Sequence, residues 1–226
     1  MDSELAARWN DLTSFLSEPT REKWRKTIID SYAPRPFRGI PHLCAMFKLF
    51  DKYKDHLRDR YATAFAIFFK NVVYDPLASD NAEKSAQLLR QFAQDTTFDS
   101  ENYVAELIVA SGSYSTDAHL TPGVCGDEDL HYLIDFDMAF LGDSEELFSE
   151  HEKAQRKEYS HLSDEEYRKQ REKVVIYPTI RVFLVFLPRD PSKCSSFYVV
   201  SSHNLEKLGR CPHGLSSRLL VHFIRV

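Results

Sequence analysis

The most apolar stretch of the chain, Ala64-Phe-Ala-Ile-Phe-Phe-Lys-Asn-Val-Val-Tyr-Asp-Pro76, carries Lys70 and Asn71 side by side in its interior. A cation and an amide enclosed by such a segment must find partners, because burying either without hydrogen bonds is costly. A second segment poses the opposite problem: Leu133-Ile-Asp-Phe-Asp-Met-Ala-Phe-Leu-Gly142 sets Asp135 and Asp137 among apolar residues. An unpaired carboxylate there is equally unfavourable. Other chemistries lack support in the spacing. Cys194, His203, Cys211 and His213 offer zinc-type donors but no tight C-x-x-C or H-x-x-x-H pair. Ser111-Gly-Ser113 is not a nucleophile elbow, and no P-loop or dinucleotide glycine pattern occurs.

The elements that position these residues read as helices. Ser3 to Leu16 and Glu22 to Tyr32 have apolar residues at helical spacing, and Pro34 stops the second. His42 to Leu57 repeats the pattern through Leu43, Met46, Phe47 and Phe50. Ala62 to Val73 is apolar nearly all round and is expected to be the most buried helix, ended by Pro76. Asn81 to Phe92 and Glu101 to Val109 continue the series, the latter capped by Asp99 or Ser100. After a loop from Ser111 to Gly126, Asp127 is expected to cap a helix through Phe140. Ser144 then starts one that runs to about Lys173. Ile180 to Leu187 and Phe197 to Ser201 are rich in β-branched and aromatic residues and admit short strands, with helix the alternative for the first.

Composition bounds the function. The chain has 226 residues, a formal net charge of −5 and only 7 Gly and 10 Pro, which suits one globular domain and not a disordered linker. Charge is segregated: residues 127–166 hold 14 acidic and 3 basic side chains, whereas 167–226 hold 11 basic and 3 acidic ones. The two segments can neutralise each other or meet a charged partner. The negative total and the lack of interleaved basic and aromatic residues speak against nucleic-acid binding. No apolar run reaches membrane-spanning length, no secretory signal opens the chain, and four scattered cysteines fit a reducing compartment, so a cytoplasmic protein is expected.

Several blocks, taken in order, resemble the predicted metal-dependent phosphohydrolases of the HD superfamily, all-helical proteins of about this size. They are Arg35-Pro-Phe-Arg-Gly-Ile-Pro-His42 with Tyr32 before it, Ala66 to Pro76, Asp80 to Ala86, Asp135 to Gly142, and Arg156-Lys-Glu-Tyr159. A weaker echo lies in Ser202-His-Asn-Leu-Glu206. The resemblance spans most of residues 5–175 and implies an all-α, HD-like helical domain over residues 1–210. The tail, residues 211–226, matches nothing in it and is expected to be poorly ordered.

The resemblance also implies a metal region, because in the family two histidines four residues apart, an adjacent His-Asp pair and a later Asp hold divalent ions. Such an ion lowers the pKa of bound water and polarises a phosphoryl oxygen. This chain departs at those positions. Arg38 stands where the first His would be, Lys70-Asn71 replace the His-Asp pair, and Tyr114 replaces a further His. What remains as metal ligands is His42 with Asp135 and Asp137. Two readings follow for the pocket: Lys70 replaces the metal electrostatically by pairing with Asp135 or Asp137, or Arg35, Arg38, Lys70 and Arg156 hold a phosphate-bearing small ligand. Arg35 and Arg156 can instead pair with helix carboxylates such as Glu83 or Asp137. The functional expectation is a divergent pseudoenzyme. The alternatives are an active hydrolase of nucleotides or other phosphate esters, using a divalent metal on His42, Asp135 and Asp137 with Asp75 or His119 as a further ligand, and a protein-interaction scaffold.

Overall fold

The computed structural model describes residues 2–121, 124 and 126–171, and these form helices and turns with no strand among them. The strand candidates, the cysteine and histidine set beyond residue 193, the Ser202–Glu206 echo and the tail from 211 lie outside the described residues. Packing divides the chain into two compact units, Met1–Thr116 with Gly126–Met138, and Asp117–Cys125 with Ala139–Val226.

The first unit contains α1 (Asp2–Leu12), α2 (Glu18–Tyr32), α3 (Ile40–Tyr53), α4 (Arg60–Phe69), α5 (Asn81–Gln94), α6 (Glu101–Ser111) and α8 (Asp129–Met138). Local chemistry sets the starts. Pro19 and Pro41 occupy the first turns of α2 and α3, where a missing N–H is no loss. The Asp59 carboxylate caps α4 by accepting from Ala62 N at 2.8 Å. Gly39 must be glycine, because a Cβ there would sit 2.1 Å from the Arg35 carbonyl oxygen.

α4 is the central helix, packed by α3, α5, α6 and α8, and every residue from Ala62 to Phe69 is buried. Around it an aromatic core is organised by Trp9, whose ring meets Phe65, Phe68 and Phe92 at centroid separations of 6.2, 5.2 and 5.8 Å. Its indole N–H donates to the Arg21 carbonyl at 3.0 Å, so the same side chain ties α1 to α2. A buried carboxylate closes the other side. Asp129 accepts from Arg58 N at 2.8 Å, Asp59 N at 2.9 Å and Tyr103 Oη at 2.9 Å, joining α4, α6 and α8. Burial and then this bond push the Tyr103 hydroxyl up to about 12.

The apolar helix ends earlier than its hydropathy suggests, at Phe69, so Lys70 and Asn71 lie just past it and not inside it. Two side chains from α2 and the turn after it explain the stop. Tyr32 Oη donates to Phe68 O at 3.0 Å and accepts from Asn71 N at 3.2 Å. Arg35 donates to the carbonyls of Asn71 and of Val72, the latter at 2.9 Å. Carbonyls capped in this way have no need of a further helical turn.

The second unit contains α7 (Asp117–Leu120), a 3₁₀ turn at Ala139–Gly142, α9 (Glu145–Glu158) and α10 (Asp164–Arg171). The single long helix expected from Ser144 is broken. Arg156 donates to the carbonyls of Tyr159 at 2.7 Å and Leu162 at 3.0 Å, stabilising the turn, and Ser163 restarts the helix in a reciprocal bond with Glu166. No helix among the described residues is long and apolar enough to cross a membrane. Trp9→Ala should cost about 3–5 kcal/mol, read from the shift of the denaturant midpoint, because it empties the junction of α1, α2, α4 and α5.

Candidate functional site

One carboxylate gathers the chemistry. Asp137, on α8, is fully buried, and four residues from other segments of the first unit converge on it. Arg38, in the turn that leads into α3, donates through one terminal nitrogen to Oδ1 at 2.9 Å and Oδ2 at 3.0 Å. His42, one turn later on α3, places Nε2 2.7 Å from Oδ1. An ionised carboxylate only accepts, so that nitrogen carries the proton. Lys70 Nζ lies 3.3 Å from Oδ2, and Asn71 Nδ2 donates to Oδ1 at 3.4 Å.

Electrostatics follow from this geometry. Burial alone would push the Asp137 carboxyl up, but Arg38, Lys70 and His42 outweigh it and hold the group well below the ordinary 3.8. Burial likewise works against the charged form of Arg38, and Asp137 foremost keeps that guanidinium well above its ordinary value. Besides its ion pair with Asp137, Lys70 Nζ donates to Ser111 O at 3.2 Å and Ser111 Oγ at 3.1 Å, so the buried ammonium is held on both sides. The ring of Tyr114 lies 5.2 Å from Nζ and 5.0 Å from the Arg38 guanidinium carbon, within cation–π range of both.

The residues anticipated from sequence are thus distributed unevenly. Arg38, His42, Lys70, Asn71, Tyr114 and Asp137 share one cluster. Asp135 is buried too, but two helical positions turn the backbone by roughly 200°, and the bonds of His42, Lys70 and Asn71 to α8 run to Asp137. Arg35 is engaged with the carbonyls past α4 and lies 5.1 Å above the Tyr32 ring. Arg156 belongs to the second unit, where Asp164 takes its guanidinium at 2.8 Å. Ser111 and Tyr74, whose ring lies 5.7 Å from the Arg38 guanidinium carbon, were not singled out. The one signal for Ser111 is that a buried ammonium needs three acceptors.

A divalent metal fits these residues poorly. His42 spends its Nε2 proton on Asp137, both carboxylate oxygens face cations, and Lys70 and Arg38 stand where further ligands would be needed. Among the described residues no group of three or more His, Cys, Asp or Glu is arranged to hold a metal ion. Compared with known proteins, the chain matches no family model, and neither a curated protein nor a solved structure gives a significant match.

Asp137→Asn should destabilise the fold by about 3–5 kcal/mol, since it removes the counter-charge from two buried cations. Because the native carboxyl lies below its unfolded value, its stabilisation is complete above about pH 4 and is lost as pH falls toward the native pKa. Acid-unfolding curves should show that limb flattened in Asp137→Asn.

Proposed function

We propose that this chain is a non-hydrolytic relative of the HD-superfamily phosphohydrolases, a pseudoenzyme that binds a phosphate-bearing small ligand without cleaving it. The observation that carries the reading is the position of two cationic side chains, Arg38 and Lys70, on the single carboxylate of Asp137. A hydrolase of this type needs a metal-bound water, and an ammonium or guanidinium does not lower the pKa of water in that way. A cationic, tyrosine-flanked cluster favours an anion over a further cation, and guanidinium and ammonium groups are the usual donors to phosphate oxygens.

The rival hydrolase reading asks His42, Asp135 and Asp137 to share an ion with Asp75 or His119. Against it, His42 and Asp137 are bonded to each other, and Asp75 is an exposed turn residue whose carboxylate accepts from Leu77 N at 2.9 Å.

Elemental analysis of protein incubated with Mn, Fe, Zn and Mg and freed of loose ions tests the reading, with Lys70→His/Asn71→Asp alongside. The wild type should retain substoichiometric metal and the double variant should gain it. An ion per chain in the wild type would refute the proposal. Inorganic phosphate or a nucleoside monophosphate should raise the Tm of the wild type by mass action, and this shift should vanish in Arg38→Lys, which keeps the charge but loses the fork.

A further inference from the structure

Tyr114 has the one left-handed backbone among the non-glycine residues described, with φ at 58°. A bulky side chain adopts that region only when its surroundings compensate, and such strain gathers at sites that bind or switch. Two features hold it. The turn after α6 is fixed by Ser113 Oγ, which bonds the carbonyls of Ala110 at 2.9 Å and Ser115 at 2.7 Å. The ring then lies across both cations of the cluster, 5.0 Å from the Arg38 guanidinium carbon and 5.2 Å from Lys70 Nζ. Tyr114 is itself part-exposed, whereas Arg38 and Lys70 are 6% and 4% exposed.

From this arrangement we infer that Tyr114 is a movable cover over the Arg38 and Lys70 pair, and that an oxyanion of the ligand reaches the cations when the ring swings away. The inference rests on the phosphate-binding reading above for the identity of the ligand, but not for the motion. Leaving the ring site forfeits two cation–π contacts, a modest cost that a charged ligand can offset. The Ser111 oxygens that hold Lys70 are neutral acceptors, and a charged oxyanion is the stronger acceptor for an ammonium. One donor of Lys70 can therefore exchange Ser111 for the ligand while Asp137 remains bound.

The test is pulse acetylation of the full chain with acetic anhydride, with Lys70 modification followed by mass spectrometry, with and without inorganic phosphate. In Tyr114→Ala and Tyr114→Gly, Lys70 should react about tenfold faster than in the wild type, the factor that loss of ordinary cation–π contacts would give. Tyr114→Phe, which keeps the ring, should react like the wild type. Tyr114→Gly should melt higher than Tyr114→Ala because glycine adopts the left-handed backbone freely, which separates faster labelling from a general loss of fold. Equal Lys70 reactivity in the wild type and Tyr114→Gly would overturn the cover. Faster labelling that phosphate slows supports both cover and ligand. Faster labelling that phosphate leaves unchanged supports the cover and refutes the phosphate reading.

Discussion

The fully buried Asp137 carboxylate is the constraint around which the first unit is arranged. A lone charge in that interior would be far too costly, so the chain must bring counter-charge to α8 from elsewhere. It does so from two directions, Arg38 and His42 at the start of α3 and Lys70 with Asn71 past the end of α4, and Ser111 at the end of α6 holds the lysine from behind. The early end of α4 belongs to the same solution. By capping the carbonyls of Phe68, Asn71 and Val72, Tyr32 and Arg35 let the chain leave the helix where Lys70 and Asn71 can reach Asp137.

Arg38 and Lys70 together present the same total positive charge to Asp137 as one divalent ion would. What differs is chemistry and not charge. A metal has open coordination positions at which water ionises and phosphoryl oxygens are polarised, whereas an ammonium or guanidinium offers only hydrogen bonds. The cluster therefore matches a divalent ion in charge and not in chemistry, with Tyr114 and Tyr74 lying within cation–π range of the Arg38 guanidinium.

Helix content was legible because apolar spacing and proline stops speak directly to local structure: α5 and α6 fall close to the expected bounds, and α2 ends where Pro34 stops it, although it begins four residues before Glu22. The exceptions have nonlocal causes. The end of α4 depends on Tyr32 and Arg35, more than thirty residues earlier, and the break after α9 depends on Arg156 reaching forward to carbonyls that hydropathy does not register. In the site, the need of Lys70 for an acid was readable from burial alone. The choice of Asp137 over Asp135 was not, because both sit in an apolar helix and only its rotation decides which faces the lysine. The role of Ser111, at the last position of α6, and the left-handed backbone of Tyr114, a residue that the resemblance had already placed in the pocket, carry no periodic signal.

The most direct test of the central claim is anomalous diffraction from crystals of the protein grown with excess Mn, recorded near the metal edge. The account predicts no anomalous peak at Asp137, and electron density that places Lys70 Nζ on Oδ2 with Arg38 across both oxygens. A peak coordinated by Asp137 and His42, with Lys70 displaced, would contradict it.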